Sequence, residues 1–300
     1  MKYSSLTKLA ASASVAVLLA TSTQAQTPLY QWNMDNASGS GAGLTIAPSY
    51  IDGSMTGGVF FQGNANNTIT TPASSGRSGA AGDLGVVQSQ NYNTVSSAMI
   101  AGAGNLSSIS GFSIGVWINL AANYSAGGTV NARLFDINTT SAGDGNLLYF
   151  AINNDTNLQF GVNNGANTGV ILTTGPLAAS IASLTNRWIF VGASYSTAAA
   201  GTVDLYVGGP STPAALAGTL TGVGNIAWSA STNFFMLANR NTSNPNRGLP
   251  GTVDDVSLYS GTADQAFMQN NIQGVPEPGT LALTGLGLAG LVAMMRRRRS

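Results

Sequence analysis

Residues 112–120 read Phe-Ser-Ile-Gly-Val-Trp-Ile-Asn-Leu, with an apolar side chain at every second position. A period of two places Phe112, Ile114, Val116, Ile118 and Leu120 on one face of a strand and Trp117 on the other. Shorter runs of the same kind recur, separated by Gly, Asn, Ser and Asp, and this pattern predicts an all-β chain. Strands are expected at 29–34, 59–62, 133–137, 147–152, 158–162, 187–193, 202–207, 234–238 and 251–259. Asn153, Asn154, Asp155 and Asn157 suit a hairpin connector, because Asn and Asp tolerate turn backbones. A second hairpin is expected between 187–193 and 202–207. The stretch from Asn64 to Ser110, rich in Gly, Ser and Asn, is expected to be mostly loop.

The chain has no cysteine, so its fold must rest on burial and hydrogen bonding alone. One short helix is expected after the last strand. Thr262 and Gln265 have capping-box spacing, Ala266, Phe267, Met268 and Ile272 supply apolar surface, and Gly274 and Pro276 end it. Residues 26–274 have the length of one large β domain. Their cations are Arg77, Arg133, Arg187, Arg240 and Arg247, against ten aspartates, which leaves a net charge near −5. The formal charge of zero for the whole chain hides this acidic body. A basic nucleic-acid footprint is absent, so nucleic acid is not an expected partner.

The two ends differ in kind from the body. Lys2 and Lys8, the apolar stretch 9–20, and small residues at Thr23 and Ala25 predict a signal peptide over 1–25, with a signal helix removed on export. The only glutamate is Glu277, set in Val275-Pro276-Glu277-Pro278-Gly279. The uncharged residues 280–295 follow, then Arg296, Arg297, Arg298 and Arg299. As a helix, those 16 residues would be roughly 24 Å long, a short span for a bilayer core of roughly 30 Å. Positive charge stays cytoplasmic, so everything before Thr280 is expected outside the inner membrane. This order of motif (275–279), short transmembrane helix (280–295) and basic tail (296–299) resembles the PEP-CTERM sorting signal of Gram-negative bacteria. The resemblance implies an exosortase as partner, transient anchoring in the inner membrane, removal of the tail, and delivery to the cell surface or extracellular matrix. Pro276, Glu277 and Pro278 are then read by another enzyme and perform no chemistry.

In the body, 29–35, 111–119, 186–195 with 203–209, and Gly251-Thr-Val-Asp-Asp-Val-Ser-Leu-Tyr259 occur in an order similar to the concanavalin A-like lectin/glucanase superfamily in its laminin G-like form. The likeness implies a two-sheet antiparallel jelly-roll sandwich, one sheet concave. Val207-Gly208-Gly209 departs from the usual pattern, in which an Asp often precedes the glycine, and this bears on a turn.

Enzymes of that superfamily hydrolyse glycans with paired carboxylates, usually glutamates on one strand. The body has no glutamate for either role. Without His or Cys, no Ser-His or Cys-His pair and no ordinary zinc site can form. Asp254 and Asp255 are adjacent, and a regular strand would point them to opposite faces. One of them is expected to accept loop N–H bonds or to pair with an arginine such as Arg240. The other reading is calcium, which some laminin G-like domains bind at a sheet rim, with oxygens from loops such as 136–144 or 153–157. No metal ligand can be named from spacing, and no other cofactor is expected. Trp32, Trp188 and Trp228 are expected in the core. Trp117 and Tyr206 are left with two readings, a sugar-stacking surface or packing beneath a loop.

The expectation is an exported, non-catalytic surface or matrix protein engaged in adhesion or interaction within the envelope or exopolysaccharide. The alternatives are a carbohydrate-binding module for a polysaccharide and an atypical Asp-dependent glycosidase.

Overall fold

The computed structural model describes residues 26–39, 43–62, 69–80, 83–88, 99–104, 106, 109–121, 132–138, 146–153, 157–163, 169–173, 185–197, 200–226, 228, 233–237 and 248–274. They form two antiparallel sheets. Sheet I runs, in spatial order, β16 (Thr212–Thr221), β15 (Thr202–Gly209), β14 (Trp188–Ser196), β9 (Gly111–Leu120), β18 (Gly251–Ser260), β1 (Pro28–Trp32) and β4 (Tyr50–Ile51). β18 pairs with β1 through Val256 to Tyr259, and with β7 (Val86–Gln88) through Gly251 to Val253. β7 in turn pairs with β6 (Ile69–Thr70). Sheet II runs β13 (Gly169–Thr173), β12 (Asn157–Asn163), β11 (Asn146–Asn153), β10 (Ala132–Asn138), β17 (Asn233–Leu237), β8 (Met99–Gly104), β5 (Phe60–Gln62), β3 (Thr45–Ile46) and β2 (Ala37–Ser38).

The sheets pack face to face through the stripes that the alternation foretold. Phe112, Ile114, Val116, Ile118 and Leu120 of β9 share one core with Leu134 and Ile137 of β10, Phe150 of β11 and Phe160 of β12. Aromatic contacts cross the interface. Phe112 lies 6.3 Å from Phe160, and Phe235 meets Tyr30 edge-on at 5.1 Å. Polar tips in this core are satisfied: Trp32 Nε1–H donates to Gly58 O at 2.6 Å, and Tyr30 O–H bonds Thr56 O and Ala103 O at 2.7 and 3.0 Å. Trp32 is fully buried as expected, whereas Trp188 and Trp228 are half-buried at cluster margins.

A second apolar cluster covers the outer face of sheet I. It joins Trp117, Phe190 and Tyr206 to Met268 and Ile272 of a helix that follows β18. That helix is α1 (Gln265–Phe267), continued by π-helical turns over Met268–Gln273. It sits close because its seat is a cross-strand glycine pair, Gly115 and Gly192. A Cβ on Gly115 would stand 2.2 Å from Ile272 Cγ2, and one on Gly192 would stand 2.7 Å from Met268 Sδ. Both ends are pinned. Ala263 N–H donates to the hydroxyls of Ser113 and Ser194 at 2.7 and 2.9 Å, and buried Gln273 bonds Ala214 N–H, Gly209 O and Thr212 O.

The structure corrects or refines three expectations. The helix cap is Asp264, whose Oδ1 accepts Phe267 N–H at 2.8 Å, and not Thr262. Asp264 holds the extended backbone that a cap needs, with φ −80° and ψ 176°. The described part of 64–110 is mostly turn and irregular backbone, as expected, but it also holds β6, β7 and β8, with β8 lying between β17 and β5. β13 and β16 are also strands, at 169–173 and 212–221, where none was expected.

Candidate functional site

The sorting-signal residues Val275, Pro276, Glu277, Pro278, Gly279, Arg296, Arg297, Arg298 and Arg299 lie outside the described residues, as does the signal segment 1–25. Among the described residues no helix is long and apolar enough to cross a membrane. Of the residues considered for calcium, Asp144, Asn154 and Asp155 lie outside the described set, as does Arg240, and Asp136 is buried.

Asp254 and Asp255 are placed by a break in β18. Asp254 pairs with Trp117 and Ser257 with Gly115, so one extra residue is inserted on β18. Asp255 absorbs it with φ 45°, in the left-handed region. Val253, Val256 and Leu258 consequently face the core, while Tyr259 joins the outer cluster. The expectation that the two aspartates point to opposite faces fails, because the bulge resets the alternation between them and turns both away from the core.

Their partner is Arg77, from the segment joining β6 to β7. Asp254 Oδ2 accepts Arg77 N–H at 2.8 Å, and Asp254 Oδ1 accepts Asp255 N–H at 2.8 Å. The Arg77 guanidinium meets Asp255 Oδ2 at 3.1 Å and lies 4.5 Å from the centre of the Trp117 ring. One aspartate was expected to accept loop N–H bonds or to pair with an arginine such as Arg240; here Asp254 accepts the loop N–H and Asp255 pairs with Arg77, while Arg240 lies outside the described residues. Burial pushes the Asp254 carboxyl up to about 7, helped by Asp255 and Asp83 and opposed by the two N–H donors. Asp255 is also raised, by burial first, with Arg77 pulling the other way.

Beside this pair opens a cleft of about 720 Å³ lined by Asn33, Asp35, Arg77, Ser78, Ala80, Asp83, Pro210 and Asp255. Its carboxylates are already engaged. Asp35 Oδ1 accepts Leu84 N–H at 2.9 Å, Asp35 Oδ2 accepts Asn33 Nδ2–H at 3.0 Å, and Asp83 accepts Ser78 N–H. No three His, Cys, Asp or Glu side chains among the described residues converge to hold a metal ion. Trp117 and Tyr206, left open by the sequence, are both buried on the helix side of sheet I, so neither presents a sugar-stacking surface. Sheet II adds a polar group unmarked by any sequence motif: Arg133, Asp136, Asn138 and Gln159 are buried, and Arg133 stacks 3.6 Å from the Tyr149 ring centre.

A family model for the concanavalin A-like lectin/glucanases superfamily matches residues 89–266. The chain belongs to that superfamily. Residues 274–299 match the PEP-CTERM protein-sorting motif, which marks the chain for exosortase-sorted export. No curated protein matches the sequence. Among solved structures, the chain is similar to the receptor-binding domain of botulinum neurotoxin type G, at 10 % identity and TM-score 0.51, over 82 % of this chain and 51 % of that one. It is also similar to domain 4 of AbnA, a GH43 extracellular arabinanase from Geobacillus stearothermophilus solved with arabinotriose. That match has 14 % identity and TM-score 0.50, over 82 % of this chain and 98 % of that one. At such identities the likeness is one of fold.

Proposed function

We propose that the exported sandwich is a non-catalytic binding module of the cell surface or surrounding matrix, with a polysaccharide as its ligand class. The observation that carries this reading is a sorting tail attached to a lectin-type sandwich whose body contains no glutamate, histidine or cysteine. The neighbouring carboxylates support it, since Asp254 and Asp255 are committed to Arg77 and to backbone N–H groups. The arabinanase domain solved with arabinotriose supports a glycan as ligand class for this fold. Amide, guanidinium and carboxylate groups in the cleft are suited to sugar hydroxyls. A glycan-array screen of the surface-released protein is expected to return one or more polysaccharides. If nothing binds while the protein remains folded, the reading fails.

One observation favours the glycosidase alternative. The bulge brings Asp254, pushed up to about 7, alongside Asp255 at the edge of the cleft. A raised carboxyl beside a second carboxyl is the pattern of an acid and its partner. Polysaccharide turnover abolished by both Asp254→Asn and Asp255→Asn would establish that reading and displace the first.

A further inference from the structure

The last described residues fix where the chain leaves the sandwich. From Ala263, held by the hydroxyls of Ser113 and Ser194, the helix crosses the outer face of sheet I to Gln273. Ser113 and Ser194 face each other in the register of β9 and β14, and the row four residues further along holds Trp117, Phe190 and Gly208. A Cβ on Gly208 would stand 2.5 Å from Gln273 Nε2, so Gln273 lies on that row. There it is fastened to the β15–β16 turn. Its Oε1 accepts Ala214 N–H at 2.6 Å, and its Nε2 donates to Gly209 O at 3.0 Å and to Thr212 O at 2.8 Å. Pro210, between those two carbonyls, is a wall of the cleft that holds Arg77, Asp83 and Asp255. Gly274 closes the helix with φ 72°, and Val275 of the sorting motif is the next residue.

Chain length then sets a distance. Only residues 275–279 separate Gly274 from the uncharged stretch 280–295. Fully drawn out, they bridge about 20 Å. We propose that an intact tail holds the cleft against the inner membrane, screened from bulky ligands, and that removal of the tail is the step that opens it. This rests on the reading that 280–295 is inserted in the bilayer. However the sandwich swings about its tether, the cleft stays within reach of the lipid, because tether point and cleft share the turn at 209–212. The opposite end is free to move away, since Ser110 lies about 20 Å from the Trp117 row along β9. Small solutes pass through a gap of this width, whereas a polymer has to thread between the sandwich and the lipid. Access to the cleft is thereby tied to completed sorting, with no movement inside the sandwich required.

The full chain in membranes tests this through two single-cysteine variants, since the native chain has no cysteine. Ala80→Cys is exposed on the cleft wall, and Ser110→Cys is exposed at the far end of β9. A bulky maleimide–polyethylene glycol is expected to label position 80 several-fold more slowly than position 110 in the membrane-bound, unprocessed chain. In the released, tail-processed protein that difference should vanish. A Gly/Ser insert of about 30 residues between Gly274 and Val275, with a mean reach of about 30 Å, should abolish it in the unprocessed chain too. An unchanged ratio of the two rates before and after release overturns the proposal. So does slow labelling at position 80 that survives the insert, which would place the obstruction inside the sandwich. A full chain that does not sediment with membranes also overturns it, by removing the anchor on which it rests, whereas sedimentation with equal labelling removes the orientation alone. No step reads ligand binding, so failure here is separate from failure of the glycan reading.

Discussion

The outer face of sheet I is covered twice, by opposite means. The helix at 265–273 covers Phe190 and Tyr206 with Met268 and Ile272, and no charged side chain belongs to that cluster. The segment joining β6 to β7 covers Trp117 with the Arg77 guanidinium, which is paired to Asp255. Apolar burial is nearly indifferent to pH and salt, whereas a cover built on buried carboxylates changes with both. One strand thus carries a permanent cover at one end and a conditional one at the other. Tyr259 and the helix lie toward the β1 end of β18, and Asp254 and Asp255 toward the β7 end.

The largest expected effect tests the permanent cover. Phe190 packs edge-on to Trp117 at 5.5 Å and is fully buried. Phe190→Ala should destabilise the domain by about 3–5 kcal/mol in urea unfolding, equally at acid and alkaline pH. A loss below about 1 kcal/mol would mean that the helix contributes little and would break the contrast.

Next is the conditional cover, where the sign differs. The Asp254 carboxyl rises from 3.8 in the unfolded chain to about 7 in the fold, so the native state holds its proton more tightly. Its contribution is fully present below pH 3.8 and is lost as pH rises through about 7. The ionised group then costs of the order of 4 kcal/mol. Asp254→Asn removes that cost and weakens one or two hydrogen bonds, so a net gain of about 2 kcal/mol is expected above pH 7. Below pH 4 the variant should be no more stable than the parent. Stability curves that run parallel at both pH values would refute the assignment.

The difference between the two covers also marks where sequence reasoning reached and where it stopped. Alternation revealed β9 and its buried face, because one residue type after another repeats with the pleat. It missed β8, whose Met-Ile-Ala-Gly-Ala-Gly composition has little strand preference and which is held by its neighbours in sheet II. The helix cover was half legible: the apolar residues of the helix were visible, but its fit over Gly115 and Gly192 depends on a register set 77 positions apart. The site was least legible. Counting by twos through Asp254 and Asp255 cannot show a bulge, and nothing local links Asp254 to Arg77, 177 positions earlier. Positive φ at an aspartate is one of the few tolerated cases outside glycine, so Asp255 itself was a faint signal.

Smaller changes sharpen the contrast further. Asp264→Ala removes the helix cap and should cost about 1 kcal/mol, read as a lower melting temperature. The weakest expected effect is the most discriminating about pH. Tyr206 donates its hydroxyl to Ala263 O across a long 3.3 Å, so Tyr206→Phe should cost only about 0.5 kcal/mol. Its phenol is pushed up to about 12, by burial first and then by Asp204 and Asp264. The contribution of that shift is therefore complete below pH 10 and is lost only as pH rises through about 12. Between about pH 4 and 9 the parent and Tyr206→Phe should keep a constant stability difference, in the same window where parent and Asp254→Asn diverge. If the Tyr206 difference also varied with pH there, the helix cover would be coupled to the Arg77 cover, and the two ends of β18 would act as one unit.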